Sequence, residues 1–168
     1  MTKFAAGEKY VLATIPFRPF QHLLTIAEQK ACLNCIHRHL DNKGKLVFDV
    51  YHTFLPRLID PKYFMEMEVE PPLKLPDGRV IKRTNRTAAF HRAEQYNDIE
   101  FIFYVKYPDG REERLVQVFP MRYFYRYEIE HLLSLCGFKI LEFYGNFDKS
   151  DFSDESPEMI FVAEKVSR

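Results

Sequence analysis

Glycine is scarce in this sequence. Its 168 residues include six glycines, and no two of them are close enough in sequence to form a G-x-G turn. Such turns, placed between a strand and a helix, let the backbone closely approach a phosphate or a nucleoside. The sequence therefore lacks the usual nucleotide-binding fingerprint.

Charge imbalance, long apolar runs and abundant cysteine are also missing. Lysine plus arginine equals aspartate plus glutamate at 24 each, so no net field favours nucleic acid or an anionic membrane as a partner. No apolar run approaches membrane length, and the first residues lack the apolar core of a signal peptide. Three cysteines do not make a secreted disulfide framework. We expect a cytoplasmic protein of one domain, 1–168, without nucleic-acid or membrane partners.

Two short apolar segments predict buried strands. Tyr10–Ile15 (YVLATI) stops at Pro16, and Lys45–Tyr51 (KLVFDVY) follows some thirty residues later. Between them, Thr25 and Glu28 form a capping-box pattern ahead of a helix over 26–40.

The helix is predicted from an apolar face and an end signal. Leu33, Ile36 and Leu40 recur on one side, and Gly44 is expected to be the C-cap glycine. Strand, helix and strand make a βαβ unit, whose two strands are parallel. Ligands of such sheets bind at the carboxyl ends of the strands, which places 17–22 and 51–52 at one edge.

These segments resemble a known family. The strings IPFRPFQHLL, HRHL and KLVFDVYH, followed by RYEIEHLLSLCGFKILEFYGNF and EMIFVAEKV, are similar to the second half of class I S-adenosylmethionine-dependent methyltransferases. The resemblance implies that Tyr10–Ile15 and Lys45–Tyr51 are the fourth and fifth strands of the family's sheet. It also implies a last helix and a C-terminal antiparallel hairpin.

The implied fold is α/β, a truncated Rossmann-like methyltransferase sheet with an inserted antiparallel sheet. The core comprises 9–61 and 124–168. In the inserted segment, 62–123, apolar and polar residues alternate, and PDG turns occur at 76–78 and 108–110. Several relatives of the family carry such an insertion as a lid over the acceptor site, and the resemblance implies the same role here.

The resemblance implies methyl transfer from S-adenosylmethionine to an acceptor, with a small molecule as the expected class. The glycine-rich turn that begins the family's cofactor site is missing, so we expect weak or no binding of S-adenosylmethionine by this chain alone. A separate chain could supply the cofactor-binding half. The alternative is a catalytically inactive, methyltransferase-derived dimeric binding or scaffold domain.

By resemblance, the loop after the first strand contacts the methionine end of the cofactor and the acceptor. The expected cofactor contacts are Ile15, Pro16, Phe17, Gln21 and His22. The alternative for this loop is structural, with Phe17 and Phe20 in the core and His22 capping a turn.

The expected substrate contacts are Arg18, Asp49, Tyr51, His52 and Tyr123. Arg18 could hold an anion with its guanidinium fork or pair with a surface acid. Alternation places Asp49 and Tyr51 on one face of their strand. His52 or His22 could serve as a base, or both could be structural, and Tyr123 could stack on an acceptor or form an internal seam.

No metal site is expected. Cys32, Cys35 and His39 share a helical face, but His37 points elsewhere, and buried thiols pack as small apolar groups. The first strand, 10–15, is expected to form an exposed apolar edge, because the family strand that would pair with it is missing. Such edges recruit partners, so we expect a homodimer formed through this strand or through the inserted sheet.

Overall fold

The computed structural model describes residues 3–167, which form two compact units, 3–53 with 122–167 and 54–121. In chain order the elements are β1 Tyr10–Ile15, α1 Ile26–His39, β2 Leu40–Tyr51, α2 Leu55–Ile59, β3 Met67–Glu68, β4 Leu73–Lys74, β5 Val80–His91, β6 Tyr96–Lys106, β7 Glu112–Arg122, α3 Arg126–Leu135, β8 Phe138–Tyr144 and β9 Glu158–Lys165. Single 3-10 turns span Pro19–His22 and Pro61–Phe64.

The first unit is built on a four-stranded sheet in the order β1-β2-β9-β8. β1 and β2 are parallel, with Ile15 opposite Phe48, and α1 connects them, as the sequence predicted. β9 lies antiparallel between β2 and β8. The carboxyl ends of β1 and β2 and the start of β9 therefore lie at one edge of this sheet.

The bounds predicted for α1 agree with the structure to within one residue, but the glycine predicted to cap its end does not. Thr25 and Glu28 form both hydrogen bonds of a capping box. The helix ends at His39 because Leu40 is already extended and buried in β2, opposite Tyr10. Gly44 is therefore not a C-cap. It lies inside β2, where the register with β1 shifts and where a Cβ atom would lie 3.1 Å from the Tyr10 carbonyl oxygen.

Aromatic rings form the centre of the first unit's core. Phe20 is fully buried, with its ring centroid 5.2 Å from that of Phe48 and 5.7 Å from that of Phe124. Phe48 in turn stacks on Phe161 of β9 at 5.4 Å. Phe20 thus belongs to the core, and it anchors the loop after β1 to the sheet.

The second unit contains a five-stranded sheet with β3, β5, β6 and β7 in that order, and β4 also pairs with β5. β5 and β6 form a long antiparallel pair. Both PDG segments form turns in which the glycine has a positive φ, 85° at Gly78 and 88° at Gly110. Both segments are therefore turns, as the sequence predicted.

Cys32, Cys35 and Cys136 are buried free thiols. Burial raises the pKa of the Cys32 thiol to about 11, so this group stays protonated at neutral pH. No helix within 3–167 is long and apolar enough to cross a membrane.

Candidate functional site

The edge of the first sheet where β1 and β2 end brings together most of the predicted site residues. Because β2 and β9 are antiparallel, the first residue of β9, Glu158, lies opposite Tyr51 at the end of β2. Asp49 shares a face with Tyr51, since it lies two residues earlier in the same strand. Arg18 reaches this group from the loop after β1.

The loop after β1 begins with two consecutive residues in the left-handed region. Phe17 and Arg18 both have φ of 65°, a conformation that costs non-glycine residues about 1–3 kcal/mol each. The backbone N–H groups of both residues are directed to the Asp49 carboxylate, which compensates for part of this cost. The turn leaves the Phe17 side chain 83% exposed.

Arg18 is held by a carboxylate and an aromatic ring. Its Nε donates to both carboxylate oxygens of Glu158 at 3.1 Å, and its Nη2 pairs with the same group. The guanidinium carbon lies 3.8 Å from the centroid of the Tyr51 ring. The Arg18 side chain is 24% exposed, whereas that of Glu158 is 5% exposed.

Asp49 carries a buried carboxylate with one unsatisfied oxygen. Its side chain is 3% exposed, and its Oδ2 accepts no hydrogen bond from the described residues. Arg18 Nε lies 3.9 Å from Oδ2, which is too far for a hydrogen bond. Burial raises the pKa of the Asp49 carboxyl, opposed by the charge of Arg18 and by the N–H groups of Phe17 and Arg18.

Gln21 fixes the position of the 3-10 turn that ends at His22. Its Nε2 donates to the Arg122 carbonyl at 2.6 Å, and its Oε1 accepts from the Tyr51 backbone N–H at 2.9 Å. Both ends of this buried amide are therefore engaged within the chain. His22, the next residue, is exposed at this edge of the sheet.

The imidazole ring of His52 has a hydrogen-bond partner and an aromatic neighbour within the chain. Its Nδ1 lies 2.9 Å from the Ser156 carbonyl oxygen, and its ring packs edge-on against Phe152 at 4.8 Å. Because a carbonyl only accepts hydrogen bonds, Nδ1 carries the hydrogen and Nε2 is the basic nitrogen.

The other predicted residues frame this edge. Ile15 is buried at the end of β1, and Pro16 beside it is exposed. Tyr123 is half-buried and packs edge-to-face on Tyr125 at 6.3 Å. Its neighbour Phe124 forms a bridge with His52, so Tyr123 also belongs to the edge where β2 ends. Stacking of Tyr123 on an acceptor stays a prediction.

Glu158 was not among the site residues predicted from the sequence. It begins the predicted last strand, and pairing that strand with Lys45–Tyr51 would have placed Glu158 opposite Tyr51. The sequence offers no local signal for this pairing, because the two residues are far apart in the chain. The loop before it, 145–157, carries four exposed acids, Asp148, Asp151, Asp154 and Glu155.

The cysteine and histidine residues of α1 serve the fold. His39 Nδ1 donates to the Cys35 carbonyl at 2.8 Å, and its Nε2 accepts from the Ala6 N–H at 3.1 Å. Both ring nitrogens are thus engaged within the chain. Over 3–167, no three His, Cys, Asp or Glu side chains converge in a way that could hold a metal ion.

Comparison by sequence gives no relatives: no protein-family model matches the chain, and no curated protein matches it significantly. Comparison by structure finds similar proteins. A S-adenosylmethionine-dependent methyltransferase from Clostridium acetobutylicum matches 99% of this chain and 62% of its own length, with a TM-score of 0.76 at 13% identity.

Two further solved structures match comparably. An amino pentose methyltransferase from Micromonospora echinaspora, solved with bound S-adenosylmethionine, gives a TM-score of 0.73 at 21% identity over 98% of this chain and 62% of its own. A sugar N-methyltransferase from a Streptoalloteichus species gives 0.72 at 16% identity over 99% and 60%.

These matches show the fold. The chain has the fold of class I S-adenosylmethionine-dependent methyltransferases, as the sequence resemblance indicated. It spans about three fifths of the length of the methyltransferases it matches.

Proposed function

We propose that this chain is the acceptor-side part of a methyltransferase that transfers a methyl group from S-adenosylmethionine to the amine of a small molecule. The proposal depends on one observation: Arg18, Asp49, Tyr51 and Glu158 meet at the carboxyl edge of a methyltransferase sheet. Their two carboxylates and one guanidinium favour a cationic ligand over an anionic one. Two of the structural matches, an amino pentose methyltransferase and a sugar N-methyltransferase, support an amine acceptor. In this proposal, 62–123 is an insertion in the family's fold.

The donor side of the proposed site consists of Ile15, Pro16 and Phe17. Exposed Pro16 and Phe17 offer apolar contacts beside the end of β1, which fit a sulfonium that must be kept from water. S-adenosylmethionine supplies an activated methyl group when it is bound. No glycine-rich turn is present in this sequence to bind its nucleoside, so another polypeptide segment must supply one.

His22 is the proposed base. An amine that arrives as an ammonium ion must lose a proton before its nitrogen can attack a methyl carbon, and an imidazole is the side chain that most often accepts such a proton. His22 is exposed and follows the firmly anchored Gln21. His52 is half-buried, and its Nδ1 bonds the Ser156 carbonyl while its ring packs on Phe152, so we assign it a structural role.

The test uses a fusion of this chain to the part of the Clostridium acetobutylicum methyltransferase that lies outside the match. We expect the fusion to transfer labelled methyl groups from S-adenosylmethionine to an aminosugar, unlike the donor part alone. Calorimetry on the unfused chain should show weak or no binding of S-adenosylmethionine. A folded fusion that binds the donor but methylates no amine contradicts the proposal, and so does micromolar donor binding by the unfused chain.

We also propose that the chain forms a homodimer through β1. Over 3–167, β1 has a strand on one side only, and its Tyr10, Val11 and Leu12 side chains are exposed. The segment carries no charge and no proline, the devices that protect edge strands. β7 begins with three charged residues and contains Pro120, so it is the better protected strand. A donor-binding unit that adds a strand at β1 would compete with this dimer.

Val11→Lys is expected to convert the dimer to a monomer, because it places a charge on the open edge of β1. Light scattering at micromolar concentration measures the change. Val116→Lys, at an exposed position of β7, is the matched control and should leave the dimer intact. A monomeric parent chain would rule out the dimer, and loss of the dimer in the control alone would assign it to the second sheet.

A further inference from the structure

We propose that Asp49 and Glu158 form a binding site for an ammonium group, and that Arg18 occupies this site while no ligand is bound. The site itself follows from the geometry. Only the identification of its ligand as the methyl acceptor depends on the proposed function.

The net charge of this cluster favours a cationic ligand. Asp49 and Glu158 are both nearly excluded from solvent, and within 3–167 Arg18 is the one cation that pairs with either of them. With both carboxylates ionised, the cluster keeps one negative charge in excess. Buried charges are costly unless they are paired, so a ligand with a single positive charge fits this cluster. An anion would have to displace Glu158 from Arg18 and would meet two carboxylates.

The unsatisfied oxygen of Asp49 favours a ligand that donates hydrogen bonds. Asp49 Oδ2 is a strong acceptor, is buried, and receives no hydrogen bond from the described residues. A buried acceptor without a donor destabilises the folded state, so a ligand that supplies the donor gains binding free energy. The N–H groups of an ammonium ion would satisfy this oxygen.

Arg18 lies where a ligand could displace it. Arg18 is the most exposed of the three charged residues, so it lies on the solvent side of the two carboxylates. Rotation of the Arg18 side chain alone can carry the guanidinium outward, while the backbone N–H groups of Phe17 and Arg18 stay directed to the Asp49 carboxylate. The guanidinium therefore acts as an internal substitute for the ligand's cation.

The loop before Glu158 adds a longer-range effect. The segment 145–157 contains four exposed acids and one lysine, Lys149. Its end lies beside His52, whose Nδ1 bonds the Ser156 carbonyl. An excess of exposed negative charge near a site raises the local concentration of cations and is weakened by salt. Amine binding should therefore weaken as ionic strength rises.

The test is calorimetric titration of the chain, without donor, with D-glucosamine and with its uncharged counterpart N-acetyl-D-glucosamine. We expect D-glucosamine to bind more tightly. Arg18→Ala should strengthen its binding roughly tenfold, because the internal competitor is removed. Glu158→Gln should weaken it by a similar factor. Asp41→Asn, which changes an exposed acid at the opposite end of β2, is the control and should have no effect.

The direction in which Arg18→Ala changes the affinity for D-glucosamine tests whether Arg18 competes with the ligand. Unchanged or weaker binding in this variant contradicts a displaced internal cation, and equal binding of the two sugars contradicts an ammonium site. If Arg18→Ala unfolds, as thermal melting would show, Arg18→Gln replaces it with the same expected sign. The titration contains no donor, so its outcome is independent of whether the fusion transfers methyl groups.

Discussion

Replacing His22 with alanine is expected to lower kcat of the fusion about 10²–10⁴-fold, the usual contribution of a positioned base. Binding of the acceptor should change little, because in this account His22 removes a proton and does not hold the ligand. The loss should shrink as pH rises, because more of the amine then arrives unprotonated. Initial rates of labelled methyl transfer between pH 6 and 9 measure both effects.

His52→Ala is the matched control. It should retain most of kcat and lower the free energy of unfolding by about 1 kcal/mol, through loss of the bond to the Ser156 carbonyl and the contact with Phe152. If His52→Ala abolished transfer while His22→Ala preserved it, the two roles would have to be exchanged.

Phe20→Ala is expected to lower the free energy of unfolding by about 3–5 kcal/mol, the range for removing a fully buried phenylalanine ring. The ring contacts Phe48 and Phe124, so its loss opens a cavity beneath the loop that carries the site. Urea denaturation with a fitted slope measures the change.

Phe17→Ala serves as the comparison for Phe20→Ala, since the two residues belong to the same loop but Phe17 is 83% exposed. Its effect on stability should be within about 0.5 kcal/mol. A large loss in Phe17→Ala or a small one in Phe20→Ala would mean that the loop packs differently from the structure described.

The main elements of the first unit could be predicted from the sequence because their signals are local. Pro16 ends β1, and the capping box of Thr25 and Glu28 begins α1. Gly44 was wrongly predicted to cap α1 because a tertiary contact, not a local signal, sets the end of this helix. Leu40 pairs with Tyr10 and is buried, so the strand begins before the helix can reach the glycine.

The candidate site could be predicted only in part. Arg18, Asp49 and Tyr51 follow from strand ends and from alternation within one strand. Glu158 does not, because its place opposite Tyr51 depends on a pairing between distant segments. The left-handed turn at Phe17 and Arg18 could not be predicted from the sequence either, since neither residue type favours that conformation.

Mapping of backbone amide chemical shifts during titration with D-glucosamine tests the central claim most directly. The account predicts that signals of 17–22, 49–52 and 156–158 shift together with a common affinity and return when salt is added. Shifts confined to other segments, or none at saturating amine, would contradict an acceptor site at this edge of the sheet.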